Sequence, residues 1–289
     1  MTADLVANVI IAGVLTGMVY GLMALGLSVI FGVVRVVNFA HGEMMTIAMY
    51  ATVILFATLK LDPFLALLPV AAAFFAFGYA MQAGIINPFI TRPEHSQFML
   101  LVAVAIIMVN GLLMVFGPDA RSVQVDYQLE SFALGPLFFD KARVYAAGVA
   151  LAGSAALFAF FRLSLTGKAI RACADNHLGA LVVGLNVKHL YALTFGIGSA
   201  CVAVAGCMMV LLVDVTPQLG PAYTLLAFVI VIVGGLGSMS GAIVGGILIG
   251  VSEAMAGLFI TPSAKSMFSF GLLILVLLFR PQGLLGRKA

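Results

Sequence analysis

Asn38-Phe39-Ala40-His41-Gly42-Glu43 places an amide, an imidazole and a carboxylate together, just after a run with no Asp, Glu, Lys, Arg or His from Leu5 to Val34. So many polar side chains together at a membrane boundary can line a constriction in a pore. The same residue types have a plainer use. Asn38 and His41 can cap and orient a helix beginning near Gly42, with Glu43 favourable in its first turn. Spacing does not choose between a cap and a constriction in a pore. Glu253 is the one carboxylate deep in an apolar run, between Gly250 and Phe259. A charge at a bilayer centre costs on the order of 3 kcal/mol, so Glu253 faces protein, is protonated or is paired. It can serve a proton or ion relay, or it can fix helix register through buried hydrogen bonds. The second reading is favoured, because neighbouring spans offer no titratable chain beyond His41 and Glu43.

Residues 166–186 read as short helices with breaks. Lys168, Arg171 and Asp175 share a face by i, i+3, i+7 spacing, while Ile170, Ala174, Leu181 and Val182 offer apolar surface. Such a segment lies along a membrane surface and can dock on headgroups or on a cytoplasmic protein. A last segment, Gly234-Gly235-Leu236-Gly237-Ser238-Met239-Ser240-Gly241, breaks a helix. Ser240 stands where a dinucleotide fingerprint needs its third glycine, and the soluble strand–helix context is missing. A tight turn or a cavity-lining break is the better reading. Gly167-Lys168 is followed by Ala169, and position 162 is Arg, so no phosphate-binding loop exists. Nor is there a G-x-S-x-G elbow or an H-E-x-x-H zinc motif. The three cysteines, Cys173, Cys201 and Cys207, have neither metal-ligand nor disulfide-framework spacing.

The elements that position these groups must be membrane helices. The 289 residues are 63% hydrophobic and 9% charged, against about 25% charged in soluble domains, and mean hydropathy is +1.21. That cannot cover a water-facing surface, which excludes a soluble enzyme or a nucleic-acid binder. The apolar runs are continuous and exceed the ~20 residues of a spanning helix, unlike the alternating strands of a barrel. The expected fold is an all-α polytopic membrane protein, one transmembrane domain over 1–289 with about 8–9 spanning helices. Candidate spans are 6–30, 43–60, 64–87, 97–117, 144–162, 189–213, 221–235, 239–259 and 266–280. Residues 31–43 can dip into the membrane, and 215–252 fit either two tightly joined helices or one helix and a re-entrant piece. With only Asp4 before the first apolar run, that run reads as a retained helix rather than a cleaved signal.

Orientation follows from the 14 Lys and Arg residues. Arg35, Arg92, Arg162, Lys168, Arg171, Lys188, Arg280, Arg287 and Lys288 fall on one side, which is placed in the cytoplasm with the C-terminus. Lys60, Arg121, Lys141, Arg143 and Lys265 fall on the other, together with most of the acids. The external loop 118–143 reads as a connection, and 163–188 is the longest cytoplasmic loop. Gly13, Gly17 and Gly21, with Gly241/Gly245 and Gly246/Gly250, make small-residue faces suited to close helix packing.

Four motifs in order resemble one family. N-F-A-H-G-E follows the first helix, T-G-K-A-I-R-A-C-A-D-N-x-x-x-A-x-x-x-G-L-N precedes a small-residue helix, and G-G-L-G-S-x-x-G-A-x-x-G-G and R-P-Q-G-L-L-G come after. Together they are similar to permease subunits of ATP-binding-cassette importers for branched-chain amino acids, the LivH type, from about Asn8 to Gly286. The resemblance implies a multi-pass subunit of the bacterial inner membrane that is not itself an enzyme. It implies a second, related permease, two cytoplasmic ATPases that bind ATP and Mg, and a periplasmic solute-binding protein, with no cofactor in this chain. Gly167, Arg171, Asp175, Ala180 and Gly184 match the family's coupling region, as contact or shape-setting positions toward the ATPase. Asn38, His41 and Glu43 match the N-F-A-H-G-E element, and Gly235, Gly237, Ser238 and Glu253 match the glycine-rich turn and the acid after it, all assigned to the translocation path or its gating. Relatives of this kind also carry aromatic acids, urea or short amides, so the solute class stays open. An ion-coupled secondary transporter is the remaining alternative.

Overall fold

The computed structural model describes residues 3–260 and 265–286. Arg287 and Lys288 lie outside the described residues. The chain begins with α1 (Ala3–Val34), α2 (His41–Leu59), α3 (Pro63–Met81) and α4 (Glu94–Phe116). A hairpin, β1 (Ser131–Leu134) and β2 (Leu137–Asp140), leads into α5 (Lys141–Leu163), α6 (Leu165–Asp175) and α7 (His177–Val182). Then follow α8 (Val187–Met209), α9 (Leu219–Gly234), α10 (Met239–Phe259) and α11 (Lys265–Phe279).

All nine spans expected from the apolar runs are helices. Seven are long and apolar enough to cross a membrane, whereas α9 and α11 are shorter, at 16 and 15 residues. Their boundaries are written locally. Asp62 accepts from the Phe64 amide at 2.9 Å with Pro63 in the first turn, and Asp140 caps α5 in the same way. Those side chains satisfy amides that a helix start leaves unpaired.

The post of the bundle is α1. Its 32 residues run about 48 Å at 1.5 Å per residue, and α5, α8, α9 and α10 all pack on it. Val19, Met23, Ala24, Leu25 and Ile30 are fully buried. Against α10 the contact is glycine on glycine. A Cβ on Gly17 would lie 2.7 Å from the Gly246 carbonyl oxygen, and one on Gly250 would lie 2.5 Å from that of Gly13. Only hydrogen fits, so the backbones themselves touch, which is how helices associate where lipid gives no hydrophobic drive.

Two connections are more than simple turns. The 118–143 connection carries its own structure. Arg121 pairs with Val215 as an antiparallel bridge, Tyr127 donates to Asp62 at 3.1 Å, and Gln128 donates to the Leu211 carbonyl at 2.9 Å. Asn8 clamps the hairpin tip, accepting from the Phe138 amide and donating to the Pro136 carbonyl. The Asn38–Glu43 element lies inside the bundle, in keeping with the reading of residues 31–43 as a dip. His41 lies beside Met23 of α1, and from Met23 to the end of α1 at Val34 is about 16 Å. Residues 35–40 therefore turn back into the bundle, and α2 starts inside it.

Candidate functional site

Two helices begin at the same depth inside the protein, and their starts face each other. Gly220 in the first turn of α9 packs against Glu43 of α2; a Cβ there would lie 2.9 Å from the Glu43 Cα. Thr224 Oγ1 accepts from the Gly42 amide at 2.8 Å and donates to Glu43 Oε2, also at 2.8 Å. The start of α2 is thus capped from α9, and neither Asn38 nor His41 supplies the cap. Asn38 Oδ1 instead accepts from the Ala40 amide at 3.1 Å, closing the turn before the helix. His41 Nε2 lies 3.0 Å from the Met23 carbonyl oxygen. A carbonyl can only accept, so Nε2 carries the proton and Nδ1 is a bare acceptor. That Nδ1 is buried and has no partner among the described residues. Asn38, His41, Glu43 and Thr224 are all buried, and inside a membrane irregular backbone of this kind persists only where protein or a cavity satisfies it.

Phe39 closes the α6–α7 end of this cluster. Its ring meets Phe98 of α4 at 4.7 Å edge-on and Phe228 of α9 at 5.0 Å. Beneath it opens a cavity of about 980 Å³ whose walls include Arg35, Phe39, Glu94, Asp175 and Gly237. Arg35 adopts a left-handed backbone, φ 58°, uncommon for a residue with a Cβ, and that reversal sends the chain back upward.

The Gly234–Gly241 break joins α9 to α10 at the same end. Gly235 and Gly237 have φ of 110° and 75°, open to glycine and strained for other residues. Ser238 Oγ accepts from the Gly241 amide at 3.1 Å and caps α10. The Leu284 and Leu285 amides donate to the Val233 and Gly234 carbonyls, each at 2.9 Å. Those carbonyls are left without intrahelical partners at a helix end, so residues 280–286 strap the break.

In the 163–188 loop, α6 and α7 are separately capped. Ser164 Oγ accepts from Gly167 at 2.8 Å and Asn176 Oδ1 from Gly179 at 2.9 Å. Gly167, Ile170 and Cys173 turn inward, while Lys168, Arg171 and Asp175 form an exposed face. Ala180 is buried and Gly184, at φ 83°, is exposed in the turn to α8. Ala180 is therefore a packing position, and Arg171 and Asp175 belong to the outer surface. Burial pushes the Cys173 thiol above its ordinary range, and a hydrogen bond with Tyr191 of α8 opposes part of that shift.

At the hairpin end, Glu253 joins three helices. Tyr20 of α1 donates to Oε2 at 3.2 Å and Ser269 of α11 to Oε1 at 2.9 Å. Tyr20, Thr224 and Ser269 carry no signal in the sequence. They are uncharged polar side chains in apolar helices, and the fold brings Tyr20 and Ser269 to Glu253 and Thr224 to Glu43.

A bundle with seven helices long and apolar enough to cross a membrane, packed glycine on glycine around an internal polar break, is a multi-pass membrane protein. This one belongs to the family described as "Branched-chain amino acid transport system / permease component", whose model matches residues 9–277. The chain is 31% identical to the high-affinity branched-chain amino acid transport system permease protein LivH of Salmonella typhimurium, over 95% of this chain and 94% of that one. It is 30% identical to the corresponding protein BraD of Pseudomonas aeruginosa, over 96% and 95% of the two chains. Among solved structures it is similar to PsaBC from Streptococcus pneumoniae in complex with Fab, with a TM-score of 0.49, 14% identity and coverage of 97% and 93%.

Proposed function

We propose that this chain is the translocation subunit of an ATP-driven importer for branched-chain or other apolar amino acids. It pairs with a second, related permease, and the α6–α7 end, with the C-terminus, faces the cytoplasm. Two ATPases dock there, and a solute-binding protein delivers the amino acid at the hairpin end. The family match supports the amino-acid reading. The mechanism is carried by one observation: the polar break between α2 and α9 is walled from the α6–α7 end by Phe39, over a cavity that Asp175 of α6 also lines. α6 packs on α1 and shares the wall of that cavity with the re-entrant residues, so ATPase closure against α6 can move Phe39 and uncover the break. Arg171 and Asp175 make contact with the ATPase, whereas Gly167, Ala180 and Gly184 set the shape of the contact. Asn38, His41 and Glu43, with Gly235, Gly237 and Ser238, form the gate and its hinge. No bound cofactor is needed in this chain, since ATP and Mg act in the partners.

Reconstitution with the partner subunits tests this reading. L-leucine uptake into proteoliposomes should require ATP and stop with a hydrolysis-defective ATPase while persisting with a protonophore. Uptake that follows the proton gradient and ignores the ATPase would overturn it.

A further inference from the structure

We propose that the cavity between α1 and α10 at the hairpin end is a binding site for a zwitterionic amino acid, with the ammonium on Glu253 and the carboxylate toward Arg143 and Lys265. The proposal rests on the reading of this chain as an amino-acid permease and adds where the solute first meets it. The cavity holds about 380 Å³, within the ~300–1,000 Å³ range of small-molecule sites. A carboxylate that served helix register alone would be sealed in. Glu253 is half-buried and lines the open cavity.

Its two donors come from different helices, Tyr20 and Ser269. They fix the carboxylate plane, and each oxygen keeps a second lone pair for a further donor. Arg143 at the start of α5 and Lys265 at the start of α11 line the same cavity. Arg143 Nε is 3.6 Å from Asp140 Oδ2, and among the described residues neither cation forms an ion pair with Glu253. One carboxylate and two cations, on separate elements and lining one small cavity, complement the two charged ends of a free amino acid. Val9, Ala254 and Leu258 complete an apolar wall suited to an aliphatic side chain. An organic anion without an ammonium would bring its charge to the cations and leave Glu253 unmatched.

The site shares a helix with the gate. Tyr20, which donates to Glu253, lies about one helical turn from Met23, whose carbonyl accepts from His41.

The test uses T16C, on the cavity wall, in the transporter assembled with its partner subunits, labelled from the hairpin side with a membrane-impermeant thiosulfonate. The unsubstituted chain gives the background from native cysteines. Amino acids that the transporter imports, L-leucine first, should slow labelling, whereas 4-methylpentanoate and 3-methylbutylamine, each lacking one charged end, should not. E253Q should weaken protection about tenfold, as loss of one charge-assisted contact requires, and R143Q should act in the same direction. Equal protection by leucine and 4-methylpentanoate, or no protection by any imported amino acid, overturns the site. Protection by leucine without ATP-driven import would keep the site and sink the proposed function; import without protection would do the reverse.

Discussion

Thr224 Oγ1 sits 2.8 Å from the Gly42 amide and 2.8 Å from Glu43 Oε2, accepting from one and donating to the other. One hydroxyl thus holds the starts of α2 and α9 together inside the bundle. T224V keeps the volume and removes both hydrogen bonds, leaving a buried amide and a buried carboxylate oxygen without this partner. Each such loss costs about 1–3 kcal/mol. The variant should lose several degrees in thermal stability by size-exclusion melting in detergent, while T224S stays near the parent. An unchanged melting point in T224V would show that the hydroxyl does not brace the break.

Adding one methyl group to the α1–α10 seam should be costly. In G250A the new Cβ would meet the Gly13 carbonyl oxygen and the Gly17 Cα, both 2.5 Å away, and neither is a flexible side-chain end. Overpacking of this kind costs about 1–3 kcal/mol. G148A, where a Cβ meets nothing within 4 Å, is the control and should express and melt like the parent.

Much of this is legible in the sequence, for a simple reason. Lipid forces every span to be a continuous apolar run, so nine helices can be counted from hydropathy and the placement of charges alone. The caps Asp62 and Ser164 and the positive-φ glycines at 235 and 237 are also local signals. The depth of α2 is not legible, because a re-entrant segment and a boundary loop have the same composition. The capping of α2 by Thr224 depends on residues 182 positions apart, and no spacing rule reaches that far. The hairpin is hidden for a different cause. Its strands are four residues each and all of β1 is exposed, so no alternation of apolar and polar residues marks it.

The two faces of the α6–α7 segment should respond differently to mutation. R171E alters an exposed residue, so stability should change by about 0.5 kcal/mol or less, yet ATPase co-purification and substrate-stimulated hydrolysis should fall together. A180W puts a large ring at a buried position and should lower stability first. If this charge reversal leaves both ATPase measurements intact, α6 is an interfacial helix and nothing more.

Cys173 should be a slow thiol. It is buried at the α6–α8 contact, and burial raises its pKa, so less thiolate is present at neutral pH than in an exposed cysteine. The sign follows for stability as well. Burying the neutral thiol favours docking of α6 below the ordinary thiol pKa, and that contribution fades as pH rises through and beyond it. Labelling of Cys173, followed by peptide mass spectrometry, should be slow at pH 7 and accelerate on raising pH or on unfolding. Rapid labelling at pH 7 in the folded protein would mean that α6 is not docked as described.

The strap of residues 280–286 has a consequence for how the protein is made. The carbonyls of Val233 and Gly234 find their partners only in Leu284 and Leu285, which leave the ribosome after α10 and α11. During synthesis α9 therefore waits with a ragged end, and the hinge beside the gate acquires its shape late. A chain interrupted before residue 284 would carry every spanning helix and still have an unfinished hinge.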